Sequence, residues 1–144
     1  ALLSFLALQD DSLSLAAALK SPIFGWSEQD LYGLAQGRKQ AVLWAELRDN
    51  ADKYPETMAI IDDLRNVVDT LRPYELLERI LSRHMGRSKL VGRLGPEAED
   101  GIDELLNQAL AYENEAVPSL TGFLVRTHDS ARCQRAGKPD CHFA

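Results

Sequence analysis

The chain is short of the residues that build nucleic-acid footprints, disulfide frameworks and membrane spans. It carries 16 Lys and Arg against 22 Asp and Glu, a net charge of −6. Such a balance argues against a dedicated nucleic-acid-binding module, whose footprint is a basic face. The two cysteines, Cys133 and Cys141, both fall near the end of the sequence. That excludes a disulfide framework and makes a reducing, cytoplasmic setting the expected one. No run of about 18 apolar residues occurs, so no membrane-spanning helix is expected. The apolar opening, Ala1 to Leu8, lacks both a preceding basic region and a small-residue cleavage site, so it does not read as a signal peptide. It also lacks an initiator Met, as expected of a piece of a longer chain. Alternating apolar and polar runs, internal repeats and low-complexity tracts are missing too.

What is present is helical periodicity. With 45% hydrophobic residues in a chain of 144, there is enough apolar surface for one core. The expected fold is all-α, a single irregular bundle of short to medium helices. Ser12 is placed to cap a helix through Leu13, Ala16 and Leu19, and Pro22 ends it near Lys20 or Ser21. Ile23, Phe24 and Trp26 fill the corner that follows. Ser27 and Asp30 then form a capping-box pair that opens the next helix, through Leu31, Leu34 and Ala35. Gly33 and Gly37 loosen the chain before a helix carrying Val42, Leu43, Trp44 and Leu47. Pro55 and Pro73 suit first helical positions. The first leads an apolar stripe of Met58, Ile61, Leu64, Val68 and Leu71, and the second one of Tyr74, Leu77, Ile80 and Leu81. Gly86 reads as a C-cap. Pro96 opens the longest helix, whose acidic first turns (Glu97, Glu99, Asp100, Asp103, Glu104) complement the helix dipole. Pro118 begins a last turn or two with Leu120, Phe123 and Leu124.

Chemistry is hard to find along this path. There is no Gly-x-x-x-x-Gly-Lys-Ser/Thr loop, and Gly86-Arg87-Ser88-Lys89 has the wrong spacing for one, so no nucleotide site is expected within the chain. No serine or cysteine comes with an identifiable base and orienting acid, so no catalytic residue is assigned. His128, Cys133, Cys141 and His142 have zinc-ligand chemistry, but adjacent Cys141 and His142 do not point easily at one ion and no Cys-x-x-Cys pair is present. No metal site is assigned. His84 suits a helix C-terminus as a cation. Trp26, Trp44 and Tyr74 can stack on bases, yet they sit on apolar stripes and read as core. The remaining candidates are cations. Arg87, Lys89 and Arg93 lie in a compact basic segment bounded by glycines, and Arg38 and Lys39 lead into the helix that carries Trp44. Together they can present a small positive patch to DNA phosphate or to an acidic partner surface. The plainer reading is solvated side chains whose stems cover apolar neighbours.

One long string is more specific than any of its residues. Asp10-Asp11-Ser12 through Lys20, then Ser21-Pro22-Ile23-Phe24-Gly25-Trp26-Ser27, resembles a segment of the C-terminal motor half of UvrD/Rep-type superfamily 1 DNA helicases. The greatest resemblance is to AddA helicase-nuclease subunits. Further blocks follow in the same order: Pro73-Tyr74-Glu75, Gly86-Arg87, Arg93-Leu94-Gly95-Pro96-Glu97-Ala98, Ile102-Asp103-Glu104-Leu105-Leu106, Ala109-Leu110-Ala111-Tyr112-Glu113 and Pro118 to Leu124. The resemblance covers residues 1–124 and marks a helical accessory insertion often called 2B. It lapses in residues 125–144, which lack the His-x-x-Lys-Gly-Leu-Glu core that such chains carry further on. This ending is expected to be a disordered tail, of the kind a truncation or a shifted reading frame would leave.

The resemblance implies a parent that hydrolyses ATP with magnesium to translocate on DNA in double-strand-break repair. The piece itself then guides duplex or forked DNA, or docks a second helicase-nuclease subunit, without catalysis. Isolated, it is expected to be able to pair as a homodimer through surfaces its parent covers. The alternative is a free-standing helical protein–protein interaction domain.

Overall fold

The computed structural model describes residues 1–115 and 117–135, and among them there is helix and no strand. The first helices are α1 (Leu2–Ala7), α2 (Ser12–Lys20), α3 (Glu28–Ala35) and α4 (Leu43–Asp49). A 3₁₀ turn (Ala51–Lys53) leads into α5 (Pro55–Val67). After α6 (Pro73–Glu78) comes a π-helical turn (Arg79–Arg83), followed by α7 (Gly86–Leu94), α8 (Ala98–Glu115) and α9 (Leu120–Arg135). The expected all-α bundle is what forms.

Several boundaries follow from the residues anticipated. Ser21, with ψ 158°, leaves α2 directly before Pro22, as the steric clash with a following proline ring requires. Ser27 and Asp30 cap α3 reciprocally: Asp30 N donates to Ser27 Oγ at 3.1 Å and Ser27 N donates to Asp30 Oδ2 at 3.0 Å. Pro55 and Pro73 each occupy a first helical position, where a missing N–H costs nothing.

Four boundaries differ from expectation. Asp11, not Ser12, caps α2, its Oδ1 accepting from Ser14 N at 2.9 Å. Ser12 is instead the first helical residue, and its hydroxyl accepts from Leu43 N at 3.0 Å. It thereby satisfies an orphan N–H of α4 from another helix. Gly86 is not a C-cap but the first residue of α7; the left-handed residue before it is Met85, at φ 55°. Pro96 lies in a turn, and α8 starts at Ala98. Finally, the stretch after Leu124 is helical as far as Arg135. That corrects the expected disordered tail for these residues; the remainder of the ending lies outside the described residues.

Two apolar clusters hold the helices together. The first gathers Phe5, Leu15, Leu19, Leu47, Ile61, Leu64, Leu76 and Ile80 from α1 to α6 and the π-helical turn. The second gathers Leu77, Leu81, Ile102, Leu106, Ala109, Tyr112 and Phe123. Leu3 on α1 packs against both. Trp26, Trp44 and Tyr74 pack with these cores. Trp44 is buried between Phe5, at 5.6 Å between ring centroids, and the Arg65 guanidinium, 4.6 Å above its ring. Trp26 stacks on Tyr54 at 4.3 Å and donates its indole N–H to buried Thr57 at 2.9 Å. Tyr74 is half-buried against the second cluster.

Candidate functional site: a basic helix edge beside an apolar cleft

Helix α7 carries three of the five candidate cations, and the fold gives each a different fate. Arg87 turns toward α8, where its guanidinium meets the carboxylates of both Glu99 and Asp103, the latter at 2.7 Å. Asp103, with Glu99 adding to it, holds Arg87 even more firmly in the charged state than usual. Two carboxylates thus already neutralise the cation that opens the basic segment. Lys89 points the other way and donates from Nζ to the Ile23 carbonyl oxygen at 2.9 Å. An ammonium has three donors, so this bond leaves two free and the charge uncompensated. Arg93, one turn beyond Lys89, is exposed and has no hydrogen bond or ion pair among the described residues.

Arg38 and Lys39 sit elsewhere, in the exposed connection between α3 and α4. That connection is tied down by Glu46, whose Oε2 accepts from Lys39 N at 3.0 Å and from Gln40 N at 3.3 Å. No hydrogen bond or ion pair among the described residues joins these two cations to α7. The five candidates are therefore distributed over two separate elements, with one of them neutralised.

Beside Lys89 lies the more distinctive feature, a cleft of about 310 Å³ bounded by α1, the Ile23 turn, α6, the π-helical turn, α7, α8 and α9. Leu3, Ile23, Ile80, Leu90, Leu105 and Leu124 contribute much of its lining, which holds no aromatic ring other than the His128 imidazole. Ser4, Thr127 and His128 supply polar atoms. The Thr127 hydroxyl is already committed, donating to the Leu124 carbonyl oxygen at 3.0 Å. The cleft is the size of a small ligand site but is nearly all aliphatic. Periodicity alone does not reveal it, because its walls come from seven segments spread from Ala1 to His128.

Sequence reasoning also missed an ionic cluster on the opposite side of the π-helical turn. Asp63 on α5 accepts from Arg79 Nη2 at 2.6 Å and from Arg79 Nε at 2.8 Å, while Arg83 Nε stands 3.6 Å away. His84 Nε2 lies 2.7 Å from Asp63 Oδ2. Facing an ionised carboxylate, which only accepts, that nitrogen carries the proton. The Arg79 bond first, then those of His84 and the nearby guanidinium charges, hold the Asp63 carboxyl well below the usual carboxylate range. His84 thus serves this ionic cluster rather than a bare helix end. The i, i+4 spacing of Arg79 and Arg83 was the available signal; their partner lies 16 residues before Arg79.

Among the described residues no group of His, Cys, Asp and Glu is arranged to hold a metal ion, and no helix is long and apolar enough to cross a membrane. His128 is exposed on α9. The Cys133 side chain and residues Cys141 and His142, the other members of the zinc-ligand set, lie outside the described residues. Compared with family models, curated proteins and solved structures, the chain matches none.

Proposed function

We infer that the chain is a helical accessory element of an ATP-dependent DNA helicase-nuclease acting in double-strand-break repair, and that it docks protein rather than guiding duplex. The assignment to that machinery rests on the ordered resemblance of residues 1–124 to AddA-like subunits. ATP and magnesium belong to the parent's motor, and this element performs no catalysis by itself.

The choice of protein over DNA is carried by one observation: Glu99 and Asp103 neutralise Arg87. A duplex-guiding surface needs several cations converging on phosphates. Here Lys89 and Arg93 stand apart from Arg38 and Lys39, on a chain of net charge −6. An aliphatic cleft offers a partner protein more than it offers a phosphate backbone.

The test is binding of the purified chain to fluorescent fork-shaped and duplex-ended DNA at low and moderate salt. Weak or absent binding is the expected result. Tight, salt-sensitive binding that disappears when Lys89, Arg93, Arg38 and Lys39 are replaced by Ala would make it a duplex-guiding module. The length of the gene tests the parent: a P-loop encoded upstream in the same reading frame is expected, and a short complete gene would leave a free-standing interaction domain.

A further inference from the structure

The two uncompensated cations of α7 and the aliphatic cleft are one surface. Lys89 reaches across to the Ile23 carbonyl, and Ile23 is part of the cleft wall. Leu90, the residue after Lys89, lines the same cleft, and Arg93 stands three residues beyond Leu90, on the neighbouring turn of the helix. Leu94, four residues after Leu90, is 62% exposed and continues the apolar face of α7. Cationic and apolar positions thus interleave along one helix edge, while the third cation, Arg87, is spent on α8.

We propose that this cleft takes an amphipathic helix of a partner protein, with aliphatic side chains at three- and four-residue steps and acidic residues flanking them. The inference rests on the docking function above and names the partner's chemistry. Aliphatic anchors fit a lining built of Leu and Ile side chains; a helical segment presents such anchors in a row. Acidic flanks match the free donors of Lys89 and the whole guanidinium of Arg93, and charge complementarity of this kind selects partner and orientation more than it adds affinity. His128, at the α9 side of the cleft, offers a further polar contact to the same flank.

The probe is a fluorescent synthetic helical peptide with Leu at i, i+3 and i+7 and Glu at the flanking positions, set against a twin in which Lys replaces each Glu. Each is titrated into the whole chain and followed by anisotropy and by backbone amide NMR shifts. The Glu peptide is expected to bind more tightly than its twin by roughly five- to tenfold at low salt. The difference should shrink as salt rises. Shifts should concentrate at Leu3, Ile80, Leu90, Leu105 and Leu124. In the double variant Lys89→Glu, Arg93→Glu the preference should invert, and binding of the Lys twin there certifies that the variant is folded. Equal affinity for the two peptides, no binding by either, or shifts confined to other faces would overturn the cleft proposal while leaving docking through another surface intact. A duplex DNA probe that binds tightly to the unsubstituted chain and loses affinity in the double variant would overturn the docking function itself.

Discussion

Asp63 and Arg79 face each other through two parallel hydrogen bonds, 2.6 and 2.8 Å long, that tie the middle of α5 to the start of the π-helical turn. The pair is bidentate and only 20–27% exposed, and His84 adds a third bond to the same carboxylate. A π-helical turn has weaker intrinsic geometry than an α-helix, so this external clamp helps to fix it.

Replacing Asp63 by Asn is therefore expected to destabilise the fold by about 1–3 kcal/mol at neutral pH, since it removes charge-assisted bonds and leaves cations unpaired. The folded-state carboxyl titrates below its unfolded value, near about 3.9. Its contribution is thus fully present above that value and is lost as pH falls through it toward the lower folded one. Urea unfolding from neutral pH down to about pH 2 should show stability falling more steeply with acid in the parent than in Asp63→Asn. Parallel acid profiles would refute the clamp.

The junction between the π-helical turn and α7 yields two changes of opposite sign. A Cβ at Gly86 would stand 2.6 Å from the Ile80 carbonyl oxygen, against backbone that has little room to yield. Gly86→Ala should cost roughly 1–3 kcal/mol. Met85 holds a left-handed φ of 55° while 61% exposed, so Met85→Gly should stabilise by about 1 kcal/mol. Thermal midpoints moving in the same direction would show that this junction is not set as described.

Trp26 and Thr57 allow a double-mutant cycle. Trp26→Phe strands the buried Thr57 hydroxyl, which accepts the indole N–H at 2.9 Å, and should cost about 1–3 kcal/mol including lost ring contact with Tyr54. Adding Thr57→Val to that variant should recover part of the loss, because an apolar pair leaves no polar atom unsatisfied. Strict additivity of the two single changes would mean that the bond contributes nothing.

For Arg87 the expectation is a stability phenotype without a DNA phenotype. Arg87→Ala should lower the thermal midpoint, less so at high salt, because α7 loses its tie to Glu99 and Asp103. Affinity for duplex DNA should stay unchanged. A drop in DNA affinity at constant midpoint would return Arg87 to the list of phosphate contacts.

Local signals were legible in the sequence wherever one stretch of chain settles its own conformation. Ser27 and Asp30 are three residues apart and cap the helix they begin; Pro22, Pro55 and Pro73 act through their own rings. Partnerships between distant stretches were not legible. Ser12 looked like a cap for its own helix because nothing in its neighbourhood announces Leu43 as the N–H that takes its hydroxyl. The acidic turns of α8 read as dipole complement, yet Glu99 and Asp103 also hold Arg87. Residues after Leu124 lose apolar periodicity, but a helix already nucleated and anchored by buried Phe123 propagates at little further cost, and Arg126 pairs with Glu115 of α8 at 2.6 Å. The basic set was found as residue types; that it divides into neutralised, tethered and free members is a property of packing.

The two clusters also meet inside one stretch of helix. Leu76 and Ile80 face the first core, Leu77 and Leu81 the second, so α6 and the π-helical turn form a partition with a distinct neighbour on each side. Successive helical residues are about 100° apart around the axis. Deleting a single residue shortly before Arg79 would swing each later side chain by that angle, offering the first core a residue shaped for the second and dragging Arg79 away from Asp63. In this segment residue count matters as much as residue type: the wall tolerates a change of hydrophobe more readily than a change of phase.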